Sequence, residues 1–186
     1  MPHKSWKLLG SRDVSDHRIF SIRHDLYRFE PSGAERDFVV LDCPDWVNII
    51  PLTDDGQVVL IRQFRHGTQS VTLEIPGGVV EAHETPEAAA VRELSEETGY
   101  IPARVKSLGF VSPNPAIQGN RSHTFLAEGC RLAAEPQPDS FEQIEVLLRP
   151  LEDIPKLIRS GEISHSLIVA AFALLHFRKE NPAHGE

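Results

Sequence analysis

The segment from Gly78 to Tyr100, GVVEAHETPEAAAVRELSEETGY, constrains this chain more than any other. Its grammar is that of a glycine loop followed by a capped helix. Thr85 is a good N-cap, and Pro86 stands at the first helical position, where its missing N–H leaves nothing unsatisfied. Glu87 to Thr98 is rich in Ala, Glu and Leu, and Gly99 ends the run as a C-terminal cap. On such a helix Glu93, Glu96 and Glu97 are spaced i, i+3, i+4 and share one face, within an arc of about 100°. Like charges at that spacing repel by about 0.2–0.5 kcal/mol per pair, so a helix shaped by stability alone would more often hold a Lys among them. Three carboxylates on one face are what hard, oxygen-seeking cations such as Mg²⁺ or Mn²⁺ bind. The Gly77-Gly78 pair lets the backbone turn tightly and come close to that face, where a carbonyl can join the ligand set. Arg92 is expected to point off the ligand face and pair with Glu84, pinning loop to helix.

Strand patterns flank this helix. Arg18 to Arg23, Leu26 to Phe29 and Asp37 to Asp42 read as short strands, with Glu30-Pro31-Ser32-Gly33 as a turn. Val47 to Leu52 and Gln57 to Gln63 are β-rich runs joined by Asp54-Asp55-Gly56, a strong hairpin signal. Thr72 to Ile75 is a strand that runs into Pro76-Gly77-Gly78. Downstream, Val105 to Val111, Arg121 to Ala127 and Glu145 to Leu148 read as strands, and Ala133 to Ser140 as a loop. Helices are expected at Pro150 to Arg159 and Ser166 to Lys179, the latter apolar nearly all round and so packed deep in the core. Strands on both sides of a central helix, then helices, predict an α/β sandwich.

Composition excludes several alternatives. A net charge of -8 argues against general affinity for nucleic acid, which needs clustered Lys and Arg. A local positive pocket can still hold a small anion. Cys43 and Cys130 stand far apart in no metal-ligand spacing, and read as free thiols in a reducing cytosol. The longest apolar stretch, Leu167 to Leu175, is too short to span a bilayer, and the start carries no apolar signal segment. A cytoplasmic protein without membrane or nucleic-acid partners is expected.

The pattern Gly78, Glu84, Arg92-Glu93-Leu94, Glu96-Glu97, Gly99 resembles the Nudix box in register, with Tyr100 in place of the usual aliphatic residue. Leu73-Glu74-Ile75-Pro76-Gly77-Gly78 and Val59-Leu60-Ile61-Arg62-Gln63-Phe64-Arg65 are similar to the elements that enter the box in the ADP-ribose and nucleoside-diphosphate-sugar pyrophosphatase branch. The resemblance implies a Nudix-type α/β/α sandwich with an N-terminal antiparallel sheet, divided into residues 1–45 and a catalytic domain of residues 46–186. It implies metal-dependent hydrolysis of a diphosphate linkage, with Glu93 and Glu97 as main ligands of Mg²⁺ or Mn²⁺. Glu96 completes the site, the Gly77 carbonyl assists, and Arg92 belongs to the catalytic set with Glu96.

The same branch carries a proline downstream of the box, a role that Pro115 fits. Ser112-Pro113-Asn114 departs from the Ser-Pro-Gly of many ADP-ribose enzymes, which leaves the sugar open between ADP-ribose and a substrate such as GDP-mannose. Arg65 or Arg62 is a candidate for the substrate diphosphate, because a guanidinium forms bidentate bonds to phosphate. Strand alternation puts the two on opposite faces, so both do not serve one pocket. Glu74 is a candidate for a substrate hydroxyl, against a plain solvated strand residue. Trp46 is a candidate base stacker, against a core tryptophan. A carboxylate recruited from a late loop as general base is expected to be Glu142, with Glu145 as the alternative. A non-catalytic nucleotide sensor, or a diphosphatase for dinucleoside polyphosphates or nicotinamide dinucleotides, are the competing functions. Relatives in this branch use an N-terminal sheet to embrace a second subunit, which implies a homodimer that brings side chains such as Phe29 or Arg36 to the partner's pocket.

Overall fold

The computed structural model describes residues 2–137, 141 and 143–180. Two compact units emerge: Met1–Pro44 with Ser112–Arg121, and Asp45–Val111 with Ser122–Glu186. The sequence suggested a contiguous first region, but Ser112–Arg121 joins it from far along the chain because its backbone bonds to residues there. Leu41 N–H donates to Ile117 O at 2.7 Å, and Asn120 Nδ2 donates to Pro44 O at 2.9 Å.

The first unit is an antiparallel meander of β1 (Trp6–Asp16), β2 (Ser21–Phe29) and β3 (Ala34–Asp42). The expected strands Arg18 to Arg23 and Leu26 to Phe29 are one strand, starting only at Ser21, because β1 pairs with it from Ser21 to Phe29 and holds it extended throughout. Two register shifts in that ladder, at Leu8/Gly10 and Asp13/Ser15, are bulges of the kind that raise local twist. Trp6 packs 4.8 Å from the Phe29 ring and 5.8 Å from Phe38. Asp25, almost fully buried, is held ionised first by hydrogen bonds from Arg23 and then by Ser11, which keep its carboxyl below the usual range.

The second unit is built on a seven-stranded sheet. Its strands are β4 (Trp46–Leu52), β5 (Gln57–Arg65), β6 (Ser70–Glu74), β7 (Gly77–Val79), β9 (Arg104–Val111), β10 (Ser122–Glu128) and β12 (Glu145–Pro150). β8 (Tyr100–Ile101) and β11 (Arg131–Leu132) form a separate two-residue ribbon. The main path runs β12-β5-β4-β10-β9, antiparallel except where β4 meets β10. The β4–β5 hairpin closes at Asp54-Asp55-Gly56, with Gly56 in the left-handed region, as the sequence predicts. The two strands then part: they pair only at Leu52↔Val58, after which β5 takes β6 as its neighbour and β4 takes β7. The chain entering the acidic helix therefore lies where the central sheet divides.

Helix α1 (Pro86–Thr98) packs on one face of the sheet, and α2 (Ile154–Ser160) with α3 (Ser166–Glu180) on the other. Alternation along β4 feeds both layers. Val47 and Ile49 join Ala89, Ala90 and Leu94 of α1, while Ile50 joins Ile154, Leu157 and Ile168. This is the α/β/α sandwich the sequence implies. The helix expected from Pro150 begins later, at Ile154, because Pro150 still ends β12 and a 3₁₀ turn intervenes. α3 is not deep in the core. It buries one stripe, Ile168, Ala171, Phe172 and Leu175, and leaves Phe177 65% exposed, since a helix in an outer layer has only one face to bury. The expected loop from Ala133 is described as far as Gln137; residues 138–140 lie outside the described residues.

The helix start and stop match their local signals. Thr85 Oγ1 accepts the Ala88 N–H at 3.2 Å, and Gly99 adopts φ 73° while donating to Ser95 O at 2.8 Å. A Cβ at Gly99 would fall within the Ala134 carbonyl oxygen. Gly99→Ala is therefore expected to destabilise the protein by more than about 1 kcal/mol, through backbone strain and that clash together, measured by urea denaturation.

Candidate active site

The glycine pair and the acidic helix meet as the sequence suggests, at van der Waals limits. A Cβ on Gly77 would overlap Val47 O, and one on Gly78 would overlap Glu93 Oε1. A residue without a side chain at Gly77 lets strand β7 lie this close to β4, and a Cβ at Gly78 would push the Glu93 carboxylate aside. Glu97, buried at 3% exposure, accepts the Gly77 N–H at 3.0 Å through Oε2. The backbone group that Gly77 shows turned to the helix is thus its N–H; the carbonyl contact with a metal rests on resemblance.

Arg92 does pair with Glu84, its Nε and Nη2 each 3.1 Å from a carboxylate oxygen. It does not point off the ligand face. Arg92 Nη1 lies 2.9 Å from Glu93 Oε1 and 3.0 Å from Glu96 Oε2, and Nη2 also reaches Val79 O. A guanidinium long enough to span neighbouring turns relieves the like-charge repulsion among these carboxylates, the reason the expected geometry fails. Its hydrogen bonds, those to Glu84 foremost, hold Arg92 firmly cationic and pull the Glu84 carboxyl below its usual range. The loop-to-helix pin is real, and the same side chain screens the acidic face of the helix.

Beside the glycines opens a cavity of about 490 Å³, where the sheet divides. Gly77 and Gly78 form one wall, with Trp46 and Asn48 of β4, Arg65 of β5, Thr72 and Glu74 of β6, and Ser164 and His165 before α3. Trp46 is half-buried and lines this cavity rather than the core proper. Glu74 is not a solvated strand residue: it is 1% exposed. Burial would raise its carboxyl pKa, but hydrogen bonds from Arg65 and Thr72, aided by the charge of Arg65, carry it below the usual range. Arg65 grips it as a fork, Nε to Oε1 at 2.8 Å and Nη2 to Oε2 at 2.7 Å, and Thr72 Oγ1 donates to Oε1 at 2.6 Å. Both oxygens are engaged, so Glu74 orients Arg65.

The remaining candidates lie elsewhere. Arg62 pairs at 3.4 Å with Glu145, its cross-strand neighbour on β12, and does not line the cavity. Glu145 is in a strand, as its sequence suggests. Glu142 lies outside the described residues. Phe29, Arg36 and Pro115 belong to the first unit, where Phe29 stacks with Trp6 and Arg36 lies over Phe38 at 5.8 Å. Sequence reasoning missed Thr72 and His165. A Ser-His-Ser run before an apolar helix signals a helix start, but nothing in it announces a cavity.

Comparison with known proteins gives the family and the fold. The NUDIX domain model matches residues 44–172. An ADP-ribose pyrophosphatase of Bacillus subtilis (strain 168) is 31% identical over 93% of this chain and 96% of its own length. An ADP-ribose pyrophosphatase of Mycobacterium tuberculosis is 25% identical over 95% of this chain and 86% of its own. The crystal structure of an ADP compounds hydrolase superposes with a TM-score of 0.84 over 96% of each chain, at 22% identity, which shows a shared fold. The chain belongs to the Nudix family and is a Nudix hydrolase. Among the described residues no helix is long and apolar enough to cross a membrane.

The Arg65–Glu74 pair makes a pH-dependent prediction. Its folded carboxyl pKa lies below the ordinary 4.5, so its stabilisation is present above pH 4.5 and is lost as pH falls through the folded value. Glu74→Gln is expected to be about 1–3 kcal/mol less stable than wild type at pH 7, with the gap closing below pH 4.5. Urea denaturation across pH 2.5–7 checks it (range set by ordinary carboxylate titration, about pH 4); a gap constant with pH refutes it.

Proposed function

We propose that this Nudix hydrolase cleaves the diphosphate linkage of a nucleoside diphosphate sugar, of ADP-ribose or GDP-mannose type. Water adds across the P–O–P bridge to give a nucleoside monophosphate and a sugar phosphate. The observation that carries this reading is the shared role of Gly77 and Gly78. They lie against the Glu93 and Glu97 carboxylates on one side and wall the cavity entered by Arg65 on the other. A diphosphate held across those glycines would meet acidic ligands and a fixed guanidinium together. The activity named for the two bacterial relatives supports the same substrate class.

The donor set suits a hard divalent cation, Mg²⁺ or Mn²⁺. Glu93, Glu96 and Glu97 offer carboxylate oxygens and Gly77 a carbonyl, and a cationic nitrogen of Arg92 already bridges Glu93 and Glu96. Among the described residues no three acidic, His or Cys side chains converge as a ready-made cage. When bound, such an ion neutralises diphosphate oxygens and activates water. We assign the general base to Glu142, with Arg65 on the diphosphate, Arg62 and Glu74 outside direct substrate contact, and Pro115 shaping the loop it belongs to. The free thiols Cys43 and Cys130 fit a cytoplasmic setting.

We also read residues 1–45 as a dimerisation region. A three-stranded sheet alone buries little, and this one leaves Trp6 and Leu8, on one face, each more than 40% exposed, a face suited to a second copy. Phe29 and Arg36 are the side chains it would present to the partner's substrate.

Two measurements test these readings. Release of monophosphate from ADP-ribose, GDP-mannose, UDP-glucose and Ap₄A, with and without Mg²⁺, should favour the nucleotide sugars and require the ion. In the same assay Glu93→Gln and Glu97→Gln should abolish turnover, and Glu142→Gln should lower kcat by about 10²–10⁴. Near wild-type rates in the helix variants at saturating Mg²⁺ would sink the assignment. Light scattering at micromolar concentration should give twice the 20.8 kDa chain mass; a single-chain mass with full activity overturns the dimer.

A further inference from the structure

We infer that His165 is a specificity residue of this active site, its Nε2–H donating a hydrogen bond to an oxygen of the bound nucleotide sugar. The inference rests on the substrate reading above. His165 precedes α3 as its N-cap, and its Nδ1 lies 3.2 Å from the Leu167 backbone nitrogen. A backbone N–H can only donate, so Nδ1 is the acceptor and carries no proton. The neutral ring is therefore fixed as the Nε2–H tautomer. The helix that consumes Nδ1 also orients the donor, because the two nitrogens lie on different edges of one rigid ring.

That ring lines the 490 Å³ cavity with Arg65, Thr72 and Glu74. Its position there matters because Glu74 is already held by its own partners. Both carboxylate oxygens are taken by Arg65 and Thr72. Beside Asn48, Thr68, Thr72 and Ser164, which can donate or accept, the wall holds Arg65 and the His165 Nε2–H, which only donate and so favour oxygen-rich ligands. The acceptor is a phosphate oxygen or a sugar hydroxyl, which share this chemistry. A cap alone would be served better by Asn, Asp or Ser, the preferred N-cap residues. His at the cap adds reach into the cavity.

Two substitutions separate the roles, since Asn Oδ1 replaces Nδ1 and Gln Nε2 replaces Nε2. His165→Asn keeps the cap and loses the donor; His165→Gln keeps a donor and loses the cap. The expected result for His165→Asn is a KM for ADP-ribose raised about tenfold (one lost hydrogen bond), with kcat and thermal midpoint near wild type. His165→Gln should recover much of the KM despite a lower midpoint. Calorimetry without metal, using AMP and ribose 5-phosphate as probes, distinguishes the sources. Weakened AMP binding in His165→Asn assigns the oxygen to the nucleotide half, and weakened ribose 5-phosphate binding assigns it to the sugar half. An unchanged KM with unchanged affinity for both probes overturns the inference, as does wild-type protein that binds neither. A KM that follows the thermal midpoint rather than the donor reduces His165 to a helix cap and overturns it too. Should wild type cleave no nucleotide sugar, the substrate reading fails by itself, and the probe affinities still decide the role of His165.

Discussion

Two adjacent residues without Cβ atoms hold this site together. Gly77 passes beneath the Val47 carbonyl at a separation no side chain permits, and Gly78 lies so close to the Glu93 carboxylate that a side chain there would displace it. Because they do, the Gly77 N–H reaches Glu97 and α1 closes onto β4 through Ala89, Ala90 and Leu94, all fully buried. Burying three such side chains is worth several kcal/mol at about 25 cal/mol per Å² of apolar surface. That sum is available only if the backbone between helix and sheet stays thin. The acidic face of α1 is thus carried on a well-packed platform, and its mutual repulsion is tolerated.

Electrostatics at the site follow one rule: each half-buried guanidinium fixes carboxylates that would otherwise repel or dehydrate. Arg92 bridges Glu84, Glu93 and Glu96. Arg65 compensates a glutamate that is almost fully removed from water. An unpaired charge in that position would cost several kcal/mol, so the pair persists as a unit. The consequence is rigidity, since Arg65 lines the cavity with its plane already set.

How much of this is legible in the chain depends on range. Thr85, Pro86 and Gly99 specify α1 through contacts within a few residues, and the helix appears where they place it. Asp54-Asp55-Gly56 specifies its hairpin in the same local way. The pairing of Arg92 with Glu84 was readable, and its reach over Glu93 and Glu96 was not, because a long side chain chooses among partners by their summed field. α3 misled for a similar reason: apolar residues all round do not say which stripe meets the sheet. The burial of Glu74 was hidden as well, since alternation along β6 gives two faces without saying that Arg65 stands opposite one of them.

The sequence by itself determined the local grammar: the capped acidic helix, the glycine entry, the hairpin and the family they signify. Tertiary structure alone decided where the sheet divides, that Arg65 grips Glu74 at its edge, and that His165 from a distant turn joins the same cavity. The physical reason is range. Caps, turns and helix faces are settled by atoms a few residues apart, whereas a cavity wall is assembled by packing residues about a hundred positions apart, whose meeting no local pattern encodes.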